Sequence, residues 1–382
     1  MKIAVIGAGL MGRAAVYDLA HNPKVDMVGV YDIDAKLARM VAHKYGHRKT
    51  VAGRFDAGDV KKAATLFKRF DAVVSAVTYR YNPGLAKAAI GAGAHFFDLG
   101  GNNDAVDAEF KLDRAAKRAG VVVIPDCGLA PGMVSVIAAG DIARFDKPES
   151  VQIRVGGLPQ KPHPPLDYQM LFSAEGLINE YYEPAVALRN GRAVAIESLG
   201  EIESLTFAGL GKFEAFSTSG GTSTLPKTYK GILKNLDYKT IRYPGHCERF
   251  KTMMDIGLAS WEKVMVDGAW VTPRSVFKAV LNKNLSHDEP DLSLVRIITE
   301  GKIGGIRKKL VSEIIDRFDR RTGLTSMMRC TAFPITIIAV MAASGQIPTC
   351  GVMPQEKAID PDIFESELAK RRIIIRRRWN RP

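Results

Sequence analysis

The chain has 382 residues, of which 46% are hydrophobic and 25% are charged. This length is too great for a single nucleotide-binding domain and suits two domains, and the composition excludes a disordered or fibrous protein. The formal net charge of +13 is unusual and allows two interpretations, a nucleic-acid or membrane surface and the attraction of an anionic ligand.

The distribution of the basic residues favours the anionic ligand. They are scattered without interleaved aromatic residues, except for Arg371-Arg372 and Arg376-Arg377-Arg378 near the C-terminus. We interpret this cluster as a solvated tail or an oligomer contact and predict no nucleic-acid or membrane partner. The first strand follows no charged leader, and no window reaches 18 uninterrupted apolar residues, so we predict a cytoplasmic protein.

The four cysteines are Cys127, Cys247, Cys330 and Cys350. They show no CxxC spacing and no partnered histidines, which argues against a zinc site or a disulfide framework. We therefore predict free thiols and no bound metal.

The first 32 residues carry the strongest motif. The apolar run Lys2–Ile6 enters Gly7-Ala8-Gly9-Leu10-Met11-Gly12, a helical pattern follows, and a second apolar run ends at Asp32. Gly7 allows a tight turn, Gly9 removes a Cβ that would block a pyrophosphate, and Gly12 lets the helix lie close to the sheet. The helix N-terminus then offers free N–H groups to the phosphates. This order predicts dinucleotide binding by Gly7, Gly9, Leu10, Met11 and Gly12.

Asp32 indicates which dinucleotide is bound. A carboxylate at this position accepts hydrogen bonds from the adenosine ribose hydroxyls and repels a 2′-phosphate, so the sequence favours NAD over NADP. Arg13, Lys36 and Arg39 are the residues that could hold a phosphate instead, and we interpret them as solvated helix charges.

Strands and helices alternate up to residue 130. Apolar strands are predicted at residues 50–55, 72–77, 95–99 and 121–125, with helices between them. Such strands predict a parallel sheet covered on both faces, a doubly wound Rossmann domain over residues 1–130. Ligands bind at the carboxyl ends of these strands, so further cofactor contacts are predicted at Asp56, Ser75, Ala76, Val77, Asp98 and Gly100.

The pattern becomes strand-rich from Val151. Strands are predicted at residues 151–155, 193–196, 206–207, 238–243, 270–271, 294–300 and 310–315, with helices near 173–181 and 248–257. This mixture predicts an α+β domain with an open mixed sheet over residues 131–330. The apolar helix at 332–343 opens a C-terminal segment, 331–382, that we expect to return toward the first domain.

Three stretches of the second domain are dense in groups that can bind a substrate. The first is Gly156–Pro159 followed by Pro162, Pro164, Pro165 and Leu171–Gly176, and the other two are Ser217–Thr224 and Lys239–His246. Each also has a structural interpretation: a Ser/Thr/Gly run is often a flexible loop, strand cations usually face solvent, and a lone histidine such as His246 is often packed. Both interpretations stay open on composition alone.

The motifs occur in a recognisable order along the chain. They are Gly7–Gly12, Asp98–Gly101, Pro125–Met133, Gly156–Pro159, Phe172–Leu177, Thr218–Leu225 and Lys239–His246. A chain with these motifs resembles the saccharopine dehydrogenase superfamily, here up to about residue 365, and within it most resembles the lysine 6-dehydrogenase group. Cys127, Cys350 and the Arg-rich tail depart from the pattern.

The resemblance implies NAD-dependent oxidative deamination of L-lysine at its ε-carbon. The product, allysine, cyclises to 1-piperideine-6-carboxylate, with release of ammonia and NADH. Hydride leaves the ε-carbon only when the amine is neutral, so an ammonium with a pKa of about 10.4 must lose a proton on binding. A desolvated pocket lowers that pKa, and a nearby base takes the proton.

Candidate residues follow from the crevice that the resemblance implies. Tyr79 and Asp126 lie at strand ends that face the nicotinamide, and Glu175 and His246 approach from the second domain. One of these four is expected to act as base or to position water. Alternatively, Tyr79 packs under the nicotinamide and Asp126 caps a helix. The expected substrate-binding residues, with Arg242 as the fork for the α-carboxylate, are Arg242, Lys239, Ser219, Gly220 and Thr222.

Two other functions remain as alternatives. A saccharopine reductase-like or carboxynorspermidine dehydrogenase-like enzyme joins an amine to a carbonyl compound and needs cations for a second acidic arm, of which the second-domain motifs offer few. A non-catalytic NAD-binding protein would lack polar residues in the second domain, yet Glu175, Thr222, Lys239, Arg242 and His246 are present. A homodimer is expected by analogy.

Overall fold

The computed structural model describes residues 1–287 and 289–380. The strands are, in chain order, β1 (Lys2–Ile6), β2 (Met27–Asp32), β3 (Thr50–Arg54), β4 (Ala72–Ser75), β5 (His95–Asp98), β6 (Val122–Ile124), β7 (Lys147–Pro159), β8 (Ala185–Arg189), β9 (Arg192–Ile196), β10 (Gly200–Phe207), β11 (Gly211–Ser217), β12 (Asn235–Arg242), β13 (Val264–Val266), β14 (Ala269–Val271), β15 (Asp291–Ile303), β16 (Ile306–Arg317), β17 (Gly351–Val352) and β18 (Arg376–Asn380).

Helices connect these strands. The α-helices are α1 (Leu10–His21), α2 (Ala35–Tyr45), α3 (Val60–Phe67), α4 (Asn82–Ala92), α5 (Asn103–Phe110), α6 (Asp113–Ala119), α7 (Met133–Ile142), α8 (Ala174–Tyr182), α9 (Leu225–Thr228), α10 (His246–Asp255), α11 (Pro273–Leu285), α12 (Ser326–Ala343), α13 (Gln355–Ala358) and α14 (Pro361–Lys370). The chain divides into a first unit, Met1–Ala143 with Met328–Ile374, and a second unit, Arg144–Met327 with the chain from Ile375 onward.

The first unit contains a parallel sheet with the strand order β3-β2-β1-β4-β5-β6-β17. The order reverses direction at β1 and β4, which is the switch point of a doubly wound sheet and confirms the predicted Rossmann class. The register pairs Ile6 with Tyr31 and with Ser75, and Ser75 with Asp98. The glycine loop, Asp32, Ser75 and Asp98 therefore share one edge of the sheet.

The second unit contains a mixed sheet with the order β10-β11-β12-β7-β15-β16-β18, and β8 and β9 extend it beside β12. Strands β7 and β12 are parallel, whereas β7 and β15 and the hairpin of β15 and β16 are antiparallel. Gly304 and Gly305, at φ +57° and +77°, form the hairpin turn, which needs two residues with positive φ. The predicted α+β class is confirmed.

The predicted domain boundaries differ from the observed ones. The boundary at residue 130 falls before α7, which belongs to the first unit because its ten residues are all buried there. The segment 331–382 is divided, since the chain enters the first unit at Met328 and leaves it after Ile374. Helix α12 is long and apolar enough to span a membrane by composition, but 83% of it is buried within the fold, as in the core helix of a globular protein.

The Arg-rich C-terminus belongs to the folded structure and is not a tail, although most side chains of β18 are exposed as predicted. Strand β18 pairs with β16, and Arg378 donates to Glu313 at 2.8 Å. Arg371 contacts both carboxylate oxygens of Asp18 at 2.7 and 2.9 Å within the first unit. These contacts give several of the basic residues structural roles.

Candidate functional site

The glycine loop has the shape that a pyrophosphate needs. A Cβ at Gly12 would lie 1.9 Å from the carbonyl oxygen of Gly7, so Gly12 allows α1 to approach the turn. Gly7 has φ +100°, and its Cβ would lie 2.6 Å from the oxygen of Ala76. At Gly9 a Cβ would meet no described atom within 4 Å, so this glycine faces open space at the N-terminus of α1. These residues fit a dinucleotide phosphate group.

Asp32 links the end of β2 to this loop. Its Oδ2 accepts the Ala8 N–H at 2.7 Å, and its Oδ1 accepts the Asp34 N–H at 2.9 Å. A carboxylate has about four acceptor sites, so both oxygens retain capacity for ribose hydroxyls. Asp56 is exposed and its Oδ1 accepts the Gly58 N–H at 2.9 Å, which is a local turn contact.

Two of the predicted catalytic residues lie against neighbouring glycines of the loop after β5. A Cβ at Gly100 would lie 1.7 Å from Oδ1 of Asp126, and a Cβ at Gly101 would lie 3.5 Å from Cδ1 of Tyr79. Asp126 is buried and has φ +61°, which is uncommon for a residue with a side chain. The structure thus brings Tyr79 and Asp126 to the same loop at the carboxyl edge of the sheet.

Arg242 is the most unusual cation of the second unit. It is 3% exposed, its Nη1 donates to the carbonyl of Ile241 at 2.9 Å, and its Nε has no hydrogen-bond partner among the described residues. Its guanidinium lies 4.8 Å from the ring centre of Tyr168 and 5.7 Å from that of Tyr181. A buried guanidinium with an unused donor is suited to an anionic group of a ligand.

Glu180 completes the polar cluster around Arg242, and no sequence motif had indicated this residue. Its Oε1 accepts hydrogen bonds from the hydroxyls of Thr240 and Thr218. Its negative charge acts on Arg242. Thr218 and Thr240 fall in stretches that the sequence had indicated. Glu180 and Tyr181 had no such signal, because an isolated Glu or Tyr in a helix usually faces solvent or packs.

The other predicted substrate-binding side chains contact the protein itself. Lys239 Nζ contacts Glu203 at 2.9 Å and the carbonyl of Glu201 at 2.6 Å. The Ser219 hydroxyl donates to the carbonyl of Asn179, and the Thr222 hydroxyl donates to that of Val186. Lys239 therefore ties β12 to β10, and the hydroxyls of Ser219 and Thr222 hold their own loop. Gly220 is exposed, with φ +81°.

His246 is packed in an aromatic core. It is 0% exposed, its Nδ1 lies 2.8 Å from the carbonyl of Leu166, and its Nε2 lies 3.2 Å from the Tyr181 hydroxyl. Burial, and next the charge of Arg242, lower the pKa of His246 to about 3. A neutral imidazole with both nitrogens engaged holds Tyr181 beside Arg242, so the structure favours the packed interpretation over a base.

Replacing His246 by asparagine is expected to lower the free energy of unfolding by about 2–4 kcal/mol, because the aromatic core loses a ring and two buried polar partners. Urea unfolding measures this loss. The apparent pKa values of the pH–rate profile should stay those of the unchanged protein. His43→Asn, at an exposed position, is the control. Loss of activity with unchanged stability would instead identify His246 as a base.

Glu175 connects two helices of the second unit. Its Oε1 accepts from Arg274 at 2.9 and 3.1 Å, and its Oε2 contacts Lys278 at 3.1 Å. Partial burial by itself raises the pKa of Glu175, but the hydrogen bonds and charges of Arg274 and Lys278 together leave the pKa below its ordinary value. A carboxylate with a lowered pKa is a weak base, so this geometry favours a structural role in joining α8 to α11.

The cysteines form no disulfide among the described residues, and three of them are buried whereas Cys350 is exposed. Within residues 1–287 and 289–380, no group of three metal-ligating side chains comes together.

Family models match nearly the whole chain. The saccharopine dehydrogenase NADP binding domain matches residues 3–124, and the saccharopine dehydrogenase C-terminal domain matches residues 128–373. The chain belongs to the saccharopine dehydrogenase family. This confirms the resemblance inferred from the motifs and supports a nicotinamide-dependent oxidoreductase, with NAD and NADP as alternatives.

Two relatives illustrate the family. The chain is 22% identical over 350 residues to the mitochondrial alpha-aminoadipic semialdehyde synthase of Bos taurus, covering 84% of this chain and 37% of that protein. It is 27% identical over 204 residues to an NADP(+), L-glutamate-forming saccharopine dehydrogenase of Pyricularia oryzae, covering 51% of this chain and 45% of that protein. The matched region thus spans less than half of each relative.

A solved structure shows the same fold over the full chain. The apo histidine-tagged saccharopine dehydrogenase (L-Glu forming) from Saccharomyces cerevisiae superimposes with a TM-score of 0.80, at 19% identity, over 99% of both chains. The two-part fold of this family member is therefore that of a saccharopine dehydrogenase.

Proposed function

We propose that this family member catalyses the NAD-dependent oxidative deamination of L-lysine at the ε-carbon. Bound NAD supplies the hydride acceptor. The neutral ε-amine loses a hydride from its carbon to give an iminium, which loses a proton. Water then adds to the imine carbon, and the C–N bond breaks to release ammonia and allysine. Ring closure of allysine on its own α-amine then releases one water molecule, which balances the one consumed in hydrolysis.

The observation that supports this proposal most directly is that Arg242 is buried and forms no ion pair with a carboxylate among the described residues. The buried cations of the second unit are Arg154, Lys239, Arg242 and Arg274. Within the described residues, the other three form ion pairs with Glu203, Asp237 or Glu175, whereas Arg242 forms none. One buried cation without a carboxylate partner fits a substrate that has a single carboxylate, and Glu180 offers the opposite charge for the substrate's α-ammonium.

Proton transfer is assigned to the loop that carries Gly100 and Gly101. Asp126 is the carboxylate beside this loop and Tyr79 is the phenol, and both lie at the edge of the sheet where a doubly wound fold binds its ligands. We propose Asp126 as the group that accepts the ε-ammonium proton and Tyr79 as the group that positions water. Both assignments require that the substrate amine binds within hydrogen-bond distance of the Asp126 carboxylate and the Tyr79 hydroxyl.

NAD is proposed over NADP because of Asp32, although relatives with NADP in their names exist. A 2′-phosphate would place two further negative charges beside this carboxylate. Asp32 also accepts the Ala8 N–H, so the conformation of the glycine loop and the preference for NAD over NADP depend on the same side chain.

Replacing Asp32 by asparagine is expected to shift the ratio of NADPH to NADH affinity toward NADPH by about tenfold, since the amide oxygen still accepts the Ala8 N–H but the like charge is gone. Fluorescence titration with both reduced cofactors measures the ratio. Asp34→Asn is the matched control, because Asp34 caps α2 through Lys36 and Leu37. A shift of equal size in both variants would contradict the ribose role of Asp32.

The relatives favour a second candidate, a saccharopine-forming enzyme that reductively joins an amine to a carbonyl compound. Saccharopine carries three carboxylates, and the second unit offers one unpaired buried cation among its described residues. The side chains of Lys239 and Arg154 would have to release Glu203 to bind a second acidic arm. We therefore rank this candidate second.

The deciding experiment is the absorbance of NADH at alkaline pH with purified protein, NAD and L-lysine. NADP, ornithine, and a reverse reaction with glutamate and allysine are run in parallel. Formation of NADH with equimolar ammonia from lysine alone supports the proposal. If no NADH forms with lysine but NADH is consumed with glutamate and allysine, the saccharopine-forming enzyme is favoured. If neither assay changes the NADH absorbance and the protein still binds NADH, the result supports a non-catalytic NAD-binding protein.

A further inference from the structure

Asp98 and Glu109 form a buried pair of carboxyl groups in the first unit. Each is 1% exposed, with Asp98 at the end of β5 and Glu109 within α5. Oδ2 of Asp98 and Oε2 of Glu109 are both buried, and no other described residue donates a hydrogen bond to either atom. The two side chains hydrogen-bond each other. Two carboxyl groups can hydrogen-bond only when one of them carries a proton, so this pair holds one.

The surroundings decide which carboxyl carries the proton. Oδ1 of Asp98 accepts the N–H groups of Gly100 at 2.7 Å and Asp126 at 3.3 Å, and the Asn82 amide also contacts Asp98. Burial raises the pKa of Asp98, but the hydrogen bonds that Asp98 accepts act in the opposite direction and favour its ionised form over that of Glu109. Burial, and next the charge of Asp98, raise the pKa of Glu109 to about 11. Glu109 is therefore the protonated member, and its O–H donates to Asp98.

The contacts of Asp98 join three loops at the carboxyl edge of the sheet. Gly100 belongs to the loop after β5, and Asp126 to the loop after β6. Asn82 begins α4, and its Oδ1 accepts the hydroxyl of Ser75 at the end of β4 at 2.8 Å. All three loops lie where a doubly wound sheet binds the nicotinamide half of its cofactor.

We propose that Glu109 is a positioning residue, whose carboxyl proton fixes Asp98 and thereby the three loops that receive the nicotinamide. The groups that face this pair are Asn82 on α4, and Asp126 and Cys127 after β6. Burial raises the pKa of the Cys127 thiol, so it adds no charge at neutral pH. The proposal rests on nicotinamide binding and is independent of which amine is oxidised.

The proton on Glu109 makes stability depend on pH in a defined direction. An unfolded Glu ionises near 4.5, whereas the folded protein keeps this proton up to about 11. Between these values the folded state binds one proton more than the unfolded state, so its stability falls as pH rises. Because of this group, the equilibrium constant for unfolding increases by up to about tenfold for each unit by which the pH rises. Glu109→Gln removes that contribution and keeps a donor to Asp98.

The experiment compares Glu109→Gln, Glu109→Ala and the exposed control Asp104→Ala on the same helix. In NADH fluorescence titrations at pH 8, the alanine variant is expected to raise Kd by about tenfold, because Asp98 loses its partner, and the glutamine variant by less than about threefold. Asp104→Ala should match the unchanged protein. An equal loss of NADH affinity in both Glu109 variants would overturn the positioning role.

Two readouts test the proton itself, even if the alanine variant fails to fold. Urea unfolding between pH 6 and 9 should show a steeper loss of stability for the unchanged protein than for Glu109→Gln. Infrared difference spectra at pH 8 should show the C=O stretch of a protonated carboxylic acid, and Glu109→Gln should lack it. Parallel pH profiles, or no such band in the unchanged protein, would refute the shared proton. None of these measurements uses lysine, so they remain informative if the proposed reaction is wrong.

Discussion

Replacing Arg242 by alanine is expected to raise the KM for L-lysine by about 100- to 1000-fold and to leave the Kd for NADH within about twofold. The reason is that a guanidinium fork donates two charge-assisted hydrogen bonds to a carboxylate in a buried setting. Arg242 is buried, has an unused Nε–H, and forms no ion pair among the described residues. Steady-state kinetics with lysine and fluorescence titration with NADH measure the two effects.

A substrate without the carboxylate separates this role from a general defect. Cadaverine is lysine without its α-carboxylate, so Arg242→Ala should process it about as well as the unchanged protein does. Lys239→Met is the matched control, because Lys239 lies on the same strand and is buried but is paired with Glu203. We expect it to reduce stability while the lysine KM changes by less than about threefold. Equal losses for lysine and cadaverine in Arg242→Ala would exclude the carboxylate contact.

Alanine substitutions at two glycines of the cofactor loop are expected to have different effects, one on folding and the other on NADH affinity. Gly12→Ala should prevent stable folding of the first unit, because its Cβ would lie 1.9 Å from the backbone oxygen of Gly7. Gly9→Ala should fold with an unchanged melting temperature, since Gly9 has φ −66° and its Cβ would meet no described atom within 4 Å. The same Cβ should raise the Kd for NADH by about 10- to 100-fold, because it occupies pyrophosphate space.

Thermal unfolding and NADH titration of the two variants together test the assignment of the phosphate site. Gly91→Ala is a suitable control, because a Cβ there also meets nothing within 4 Å and Gly91 lies in α4, outside the loop. We expect it to change neither quantity appreciably. Gly9→Ala with unchanged NADH affinity would place the pyrophosphate elsewhere, and a stable Gly12→Ala protein would show that α1 can shift away from the turn.

Much of the first unit could be predicted because its signals are local. The strand, glycine turn, helix and acid of residues 1–32 are adjacent in the chain, and each residue type has a specific backbone or charge requirement. The alternation of apolar strands and helices then determines a parallel, doubly wound sheet. The mixed sheet of the second unit was predicted as a class. The sequence analysis missed strands β8, β11, β13 and β18 and helices α9 and α11.

The roles of individual polar residues depend on partners far away in the chain. His246 and Arg242 both lie in a motif that the sequence had indicated, yet His246 is packed against Leu166 and Tyr181, whereas Arg242 keeps a free donor. Glu175 bonds Arg274, 99 residues later, which lowers its basicity. Motif position alone gives no information about such pairing.

The family and the doubly wound first unit could be inferred from the order of residues alone, because both depend on spacing along the chain. Which charged groups are paired or buried is visible only in the folded protein. Lys239 is paired with Glu203, Arg242 is left unpaired, and Glu109 meets Asp98. Desolvation and Coulomb interactions act between groups that are close in space, and folding brings these groups together from separate elements.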